Sequence, residues 1–414
     1  MSNTTPQTLK GFRDFLPAEK RLRDRVTTKI KETFELYGFE PLETPTLEYA
    51  SLLLGKYGDE ADKLVYTFED NGKRKVGLRY DQTVPTARVL AQYQNELPTM
   101  FRRYQIQNVF RADKPQKGRF REFTQCDIDI FGSSDPLADA EILACTYDAF
   151  KNVGFTKLVL KVNDRKTLIG TLEPFATQQV GVMSIIQSID KLDKMSSDDV
   201  LTELVKKGLE KGKAEDALIA INKAKPSENL QQIMQLAEKL GVPKNVLEFS
   251  PALARGLDYY TGMIFEVMMP EFGLGSFGGG GRYDNLIQQL GGPVVPAIGI
   301  AFGFDRMVEA AKTLPLYASE KAGVQVMVTV FDASTAENAA EIVAAFRKSS
   351  INAELYPAYD KLGKQLKEAS KRNVPYVVVI GPEEVEKNTV MLKNMKTGEQ
   401  RATSIQEAIE IVKE

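Results

Sequence analysis

Residues 110–123 read Phe-Arg-Ala-Asp-Lys-Pro-Gln-Lys-Gly-Arg-Phe-Arg-Glu-Phe, so Arg111, Lys114, Lys117, Arg119 and Arg121 share one short segment turned at Pro115 and Gly118. A guanidinium is planar, forked and permanently charged, which suits the non-bridging oxygens of a polyphosphate. A solvated cationic loop, or a patch that holds RNA, fits the same residues. A second constellation reads Ala-Arg-Gly-Leu-Asp-Tyr-Tyr-Thr-Gly over 254–262 and Gly-Gly-Gly-Gly-Arg-Tyr-Asp over 278–284. Glycines let a backbone approach a ligand closely or turn with positive φ, although Gly278–Gly281 could equally be a flexible loop tip. Tyr259 and Tyr260 could be ordinary core tyrosines with one tethered hydroxyl. A third piece, residues 297–306, runs through small residues into a helix that carries Arg306 near its start. No Gly-Lys-Ser/Thr follows any of the glycines, and the Gly-x-Gly-x-x-Gly spacing at Gly273, Gly275 and Gly278 runs into further glycines and opens no helical pattern, so neither a P-loop nor a dinucleotide fingerprint is supported.

These groups need elements to hold them. Tyr104, Ile106 and Val109-Phe110 lie before the arginine segment, and Phe123, Cys126, Ile128 and Ile130 lie after it, in apolar–polar alternation. That period predicts two strands of a hairpin whose long connection bears the arginines. Met263–Met268 is strand-like in composition. Leu22, Val26, Ile30, Phe34 and Tyr37 form a helical stripe over 18–37 that ends at Gly38, and Pro41 and Pro45 then punctuate an extended segment. Val65–Phe68 and Lys75–Tyr80 flank Asp70-Asn71-Gly72-Lys73, a hairpin turn. Helical patterns run from Val84 to Tyr93 and from Ala138 to Val153, with a strand over 158–162.

From about 165 to 248 the chain is rich in Lys, Glu, Ala and Leu, with almost no strand signal, which predicts several short helices projecting from the sheet. A helix and linker containing Pro315 fill 308–322. Beyond Val324 the pattern is β-α-β-α-β: strands at Val324–Phe331, Ala353–Tyr356 and 376–380, with helices over 335–348 and 360–371. Such alternation implies a parallel or mixed sheet flanked by helices.

A chain of 414 residues implies two to three domains, and 43% hydrophobic with 27% charged residues is the composition of a globular enzyme. Net charge of −2 argues against a general nucleic-acid coat while allowing local basic patches. The polar start, Met1 to Pro6, implies no signal peptide, and no apolar run is long enough to span a bilayer. Cys126 and Cys145 have neither metal nor disulfide spacing, which points to a reducing cytoplasm. The chain has no histidine and no tryptophan. Imidazole bases and His-ligated metals are therefore excluded, and no metal site is expected from His or Cys. Lineage bias, engineering, or an advantage to an enzyme that needs no histidine for its own synthesis would each account for the missing residue.

Taken together, the segments resemble the three signature motifs of class II aminoacyl-tRNA synthetases. The first corresponds to Gly38–Glu48 after a helix, the second to the arginine hairpin, and the third to the glycine strand ending in Arg306. Within that class, Arg255-Gly256-Leu257-Asp258-Tyr259-Tyr260 and Gly280-Gly281-Arg282-Tyr283-Asp284 resemble two signatures of the histidyl-tRNA synthetase family. The likeness extends from Gly11-Phe12-Arg13-Asp14 to the C-terminal domain. It implies an α/β (α+β) fold: an antiparallel class II sheet flanked by helices, split into 1–164 and 249–318. A helical insertion over 165–248 and an α/β anticodon-binding domain over 323–414 complete the implied fold. The insertion is implied to clasp the tRNA acceptor arm; a cap needed only for stability is the other reading.

The activity so implied is attack of the L-histidine carboxylate on the α-phosphate of ATP, with Mg²⁺ accompanying the nucleotide, and then transfer to the 3′ end of tRNA(His). A carboxylate is already a nucleophile at neutral pH. The demand is for positioning and charge neutralisation, which arginines and Mg²⁺ can meet. By motif match Arg111 holds the α-phosphate, Arg119 and Arg306 the γ end, and Phe123 stacks on adenine. Arg255 bridges the amino-acid carboxylate and the α-phosphate, so Arg111 and Arg255 are the catalytic pair. Asp129 and Tyr260 read the imidazole, Asp81, Thr83 and Gln125 hold the α-amino group, and Tyr259 and Tyr283 line the same pocket. Asp129 could instead face outward from its strand. Gln116 and Arg121 match positions near the 5′ end of the acceptor stem. A homodimer in the cytoplasm, with no membrane partner, completes the expectation. A silent paralogue that regulates histidine biosynthesis would commonly lack the C-terminal domain and some of Arg111, Arg119, Arg255 and Arg306, all of which are present here. A synthetase-like sensor would not need an intact ATP site.

Overall fold

The structure, a computed structural model, describes residues 6–55, 62–115, 119–254, 259–273, 275–289, 291–318 and 323–413. Arg255 and Gln116 lie outside the described residues. The chain falls into two compact units, Met1–Tyr317 and Ala318–Glu414.

The first unit is built on an eight-stranded sheet. In chain order its strands are β1 (Glu40–Pro41), β5 (Phe101–Phe110), β6 (Glu122–Phe131), β7 (Val159–Asp164), β8 (Leu247–Phe249), β9 (Met263–Met268), β10 (Ser276–Arg282) and β11 (Ala297–Phe302). In space they run β1-β5-β6-β11-β10-β9-β7-β8. The pairings β1–β5 and β7–β8 at the two edges are parallel and the inner ones antiparallel. The expected arginine hairpin is β5–β6, with ten residue pairs in register from Phe101↔Phe131 to Phe110↔Glu122. Gly278–Gly281 lie inside β10, buried between β9 and β11, and are not a loop tip.

Alternation gives this sheet two unlike faces. Cys126, Ile128 and Ile130 of β6, Met263, Phe265 and Val267 of β9, and Ile298, Ile300 and Phe302 of β11 enter the main apolar core. Helices Pro17–Leu36, Pro136–Val153 and Phe304–Ala311 close that face. The first has proline in its first turn and stops before Gly38, whose φ of +73° an L side chain resists. Its stripe residues Val26, Ile30 and Phe34 are fully buried, worth about 1.5–3 kcal/mol each in apolar transfer. The opposite face, carrying Gln125, Asp127, Asp129 and the glycines, is left for the site.

Leu47–Tyr49 (β2), Thr67–Glu69 (β3) and Lys75–Leu78 (β4) form a separate small sheet in the order β2-β4-β3, so the expected hairpin around Asp70–Lys73 is present. The segment over 165–248 is helical as expected, but it does not build one core. Leu168, Ile185, Leu204 and Ile221, among others, form a cluster of their own. Leu230, Ile233 and Ala237, on helix Glu228–Lys239, join the main core, and Leu247–Phe249 enters the large sheet as an edge strand.

In the second unit, β12 (Val326–Val328), β13 (Ala353–Leu355), β14 (Tyr376–Val379), β15 (Val390–Asn394) and β16 (Gln400–Thr403) form one mixed sheet ordered β13-β12-β14-β15-β16. The expected β-α-β-α-β run supplies its parallel half. The antiparallel hairpin β15–β16 is additional to that reading.

Candidate active site

The open face of the large sheet holds two adjoining cavities. One, of about 720 Å³, is lined by Asp81, Thr83, Gln125, Asp127, Asp129, Tyr259, Tyr260, Tyr283 and the backbone of Gly278–Gly280. The other, of about 530 Å³, is lined by Arg306, Phe120, Thr124, Asp113 and Asp305. Tyr80, Arg111, Arg119, Phe123, Ser276 and Phe302 line both, so a ligand could span them.

Arg111 follows the last residue of β5. Its Nε donates to the Tyr80 carbonyl at 3.1 Å, and its guanidinium lies 4.3 Å from the Tyr80 ring centre and 5.1 Å from that of Phe123. The hairpin register and these rings hold a cation at the junction of the cavities. Arg306 reaches back from the first turn of helix Phe304–Ala311 to donate to the Ser276 carbonyl at 2.8 Å. Beside it, Asp305 is bound to Arg13 at 2.8 Å and Arg23 at 2.5 Å, and Arg23 also donates to Thr124 Oγ1 at 2.9 Å. The Arg13 guanidinium lies 3.4 Å from the Phe120 ring centre. Arg121 turns elsewhere: it donates to the carbonyls of Asp113 and Lys10, and lines neither cavity.

The deeper cavity is polar at its floor. Gln125, Asp127 and Asp129 stand on the same face of β6, all 6% exposed or less, so Asp129 does not face outward. Arg103 pairs with Asp129 across β5–β6 and is fully buried. Its Nη2 is 2.6 Å from Asp129 Oδ2 and 4.0 Å from Asp127 Oδ2. The 2.6 Å approach is a close ion pair without the alignment of a hydrogen bond. The Tyr283 hydroxyl donates to the other oxygen of Asp129. Burial pushes the Asp129 carboxyl up against the pull of Arg103 and Tyr283, and it pushes Asp127 up to about 8. The cause is physical: Asp127 and Asp129 are buried beside a single guanidinium, and Asp81 adds further negative charge, so full ionisation is costly until another cation arrives. Tyr259 packs on Tyr260 at 4.8 Å and on Tyr283 at 5.7 Å between ring centres.

Gly299 faces Asp129 from β11. A Cβ on Gly299 would lie 1.8 Å from Asp129 Oδ1, and one on Gly281 would lie 2.8 Å from the Tyr260 ring. The glycines thus make room for the side chains that line the pocket.

Of the residues singled out in the sequence, Asp81, Thr83, Arg111, Arg119, Phe123, Gln125, Asp129, Tyr259, Tyr260, Tyr283 and Arg306 converge on the two cavities. Arg103, Asp127, Arg13 and Arg23 were not singled out as site residues. Period-two spacing from Gln125 and Asp129 marks Asp127. Arg103 becomes visible only once the hairpin register is known.

An antiparallel sheet carrying an arginine-bearing hairpin and an arginine-bearing closing helix over one cleft places the chain among the class II aminoacyl-tRNA synthetases. The family model for histidyl-tRNA synthetase matches residues 11–307 and that for an anticodon binding domain residues 325–414. The chain is 37% identical to a histidine–tRNA ligase of Cytophaga hutchinsonii, over 98% of each chain. It is 39% identical to one of Christiangramia forsetii, over 95% of this chain and 96% of that one. The crystal structure of histidyl-tRNA synthetase from Nostoc superposes with a TM-score of 0.84 at 28% identity, covering 99% of both chains. The chain belongs to the histidyl-tRNA synthetase family.

Proposed function

We propose that the joined cavities carry out the two steps of histidine–tRNA ligation, histidine lying over Asp129 and ATP along the arginines. The observation that carries this reading is the convergence, at Arg111, of a cavity floored by the buried polar groups Gln125, Asp127 and Asp129 with a cleft lined by Arg111, Arg119 and Arg306. The chain is thereby an aminoacyl-tRNA ligase that forms histidyl-adenylate and pyrophosphate and then esterifies the tRNA 3′ end. Histidine-dependent exchange of pyrophosphate into ATP is the test.

The residue roles are those that the family resemblance implies, and the atoms present are of the kinds those roles need. Asp129, held by Arg103 and Tyr283, presents a carboxylate to one imidazole N–H, and Tyr260 borders the same ring. Such a site rejects isosteres without those atoms by about 10⁴-fold, because its own groups would go unpaired. Asp81, Thr83 and Gln125 receive the α-ammonium. Arg111 draws the α-phosphate toward the carboxylate, with Arg255 as its partner by motif. Arg119 and Arg306 take the terminal phosphates and Phe123 the adenine. By motif, Gln116 and Arg121 are assigned to the tRNA acceptor end.

We take Mg²⁺ to enter with the nucleotide, as the family resemblance implies. No group of three or more acidic or cysteine side chains that could cage a metal occurs among the described residues, and Asp305 is already paired with two arginines. When bound, Mg²⁺ would neutralise phosphate charge.

We assign 1–164 and 249–318 to catalysis, 165–248 to the insertion facing the acceptor arm, and 323–414 to the anticodon of tRNA(His). Leu47, Tyr49 and Phe68 stand exposed on the small β2-β4-β3 sheet, 45–60% accessible, and support a two-fold homodimer through this face. Light scattering should give twice the 46.1 kDa of one chain. A fully active monomer at micromolar concentration would refute the dimer. No described helix is long and apolar enough to cross a membrane, and both cysteines are free and buried. We therefore place the enzyme in the cytoplasm, which cell fractionation checks.

A further inference from the structure

We infer that Asp127 is a positioning residue for histidine: it fixes the side-chain amide of Gln125 so that the carbonyl oxygen, and not the nitrogen, meets the substrate's α-ammonium. This rests on the reading of Gln125 given above.

The geometry is direct. Gln125 and Asp127 are two residues apart on β6, so their side chains share a face. Both line the deeper cavity and both are buried. Gln125 Nε2 donates to Asp127 Oδ2 at 2.7 Å. An amide nitrogen can only donate and its oxygen can only accept, while an ammonium can only donate. A glutamine free to flip would present the wrong end to that ammonium in half of its orientations. An ionised carboxylate beside it accepts only, so it can bond only the nitrogen. The oxygen is thereby left for the ligand.

The surroundings hold the device in place. Arg103 reaches Asp127 from β5 at 4.0 Å, Asp129 flanks it on its own strand, and Asp81 adds negative charge from the segment before helix Thr83–Gln92. Burial pushes the Asp127 carboxyl up, which favours its protonated form in the free pocket. A neutral Asp127 could donate to the Gln125 oxygen and reverse the amide. An arriving ammonium supplies the missing positive charge and favours the ionised form. The substrate's charge and the amide orientation that reads it therefore reinforce one another. The second oxygen of Asp127, Oδ1, is buried with no hydrogen-bond partner among the described residues. A buried acceptor without a partner at this place is what a donor such as an ammonium would satisfy.

The test uses the full-length enzyme and two competitive probes. Histidinol keeps the amine and the imidazole; imidazolepropionate lacks the amine. Asp127→Asn preserves volume but can bond Gln125 in either orientation. Its affinity for histidinol should fall about tenfold or more, the scale of one charged hydrogen bond. Imidazolepropionate affinity and the KM for ATP should stay within about twofold, which also reports that the variant is folded. In a Gln125→Ala background, Asp127→Asn should lose most of its effect, because the two residues act as a unit. Unchanged histidinol affinity, equal losses for both probes, or full additivity in the double variant would each overturn the inference. Gln125→Ala with wild-type histidinol affinity would overturn the amino-group reading itself, and this inference with it.

Discussion

Replacing Arg111 with alanine should lower histidine-dependent pyrophosphate exchange by about 10²–10³-fold, the usual cost of removing one preorganised charge donor at a reacting centre. Arg111 lines both cavities, and its guanidinium is steadied by the Tyr80 carbonyl and the Tyr80 and Phe123 rings. The attacking carboxylate and the α-phosphate are both negative, and in the proposed arrangement they meet at this junction. Without the cation, their repulsion is least compensated in the transition state, so kcat should fall more than the KM for either substrate rises. Arg111→Lys should recover only part of the loss, because an ammonium lacks the fork that grips two phosphate oxygens. The fold should tolerate the change, since Arg111 is partly exposed and its side-chain hydrogen bond to the Tyr80 carbonyl is worth about 1 kcal/mol. Wild-type exchange in a folded Arg111→Ala variant would mean that the phosphate lies elsewhere.

Removing residues 323–414 should divide the two steps. Exchange should survive, because the residues assigned to activation lie within the first unit, which has its own apolar cores. The second unit is held by a separate core that includes Val326, Phe346, Val378 and Leu392. Charging of tRNA should fall by roughly 10²-fold in kcat/KM, equivalent to about 3 kcal/mol of binding lost with the anticodon contacts. Equal loss of exchange and charging, in a truncated protein whose thermal transition remains cooperative, would assign the unit a structural role instead.

Much of this site could be read from the residues because the signals were local. The alternation from Tyr104 to Phe110 and from Phe123 to Ile130 predicts β5 and β6, and the same period sends Asp129 to the face opposite Ile128 and Ile130. The helical stripe ending at Gly38 marks helix Pro17–Leu36. What remained hidden depends on pairing between distant segments. Arg103 has meaning only opposite Asp129, and the need for glycine at 299 appears only when the Asp129 side chain occupies the space its Cβ would fill. Glu228–Lys239 has the period of a surface helix, and nothing in that period says whether it packs on the insertion or on the main core. The hairpin β15–β16 turns at Gly398, whose φ of +79° suits a tight connection, but its strands are short and polar enough to escape an apolar-run criterion. Cys126, although it sits between two pocket residues, faces the core with its thiol pushed well up by burial. It is therefore no candidate for neutral-range titration in the site.

Pyrophosphate exchange into ATP, measured separately with each of the twenty amino acids and Mg²⁺, tests the central claim most directly. The pocket built on Asp129, Arg103 and Tyr283 predicts exchange that depends on histidine, with every other amino acid at least about 10³-fold poorer in kcat/KM, as expected where buried polar groups would be left unpaired. Exchange supported equally by another amino acid, or no exchange with histidine from a folded and intact chain, would contradict it.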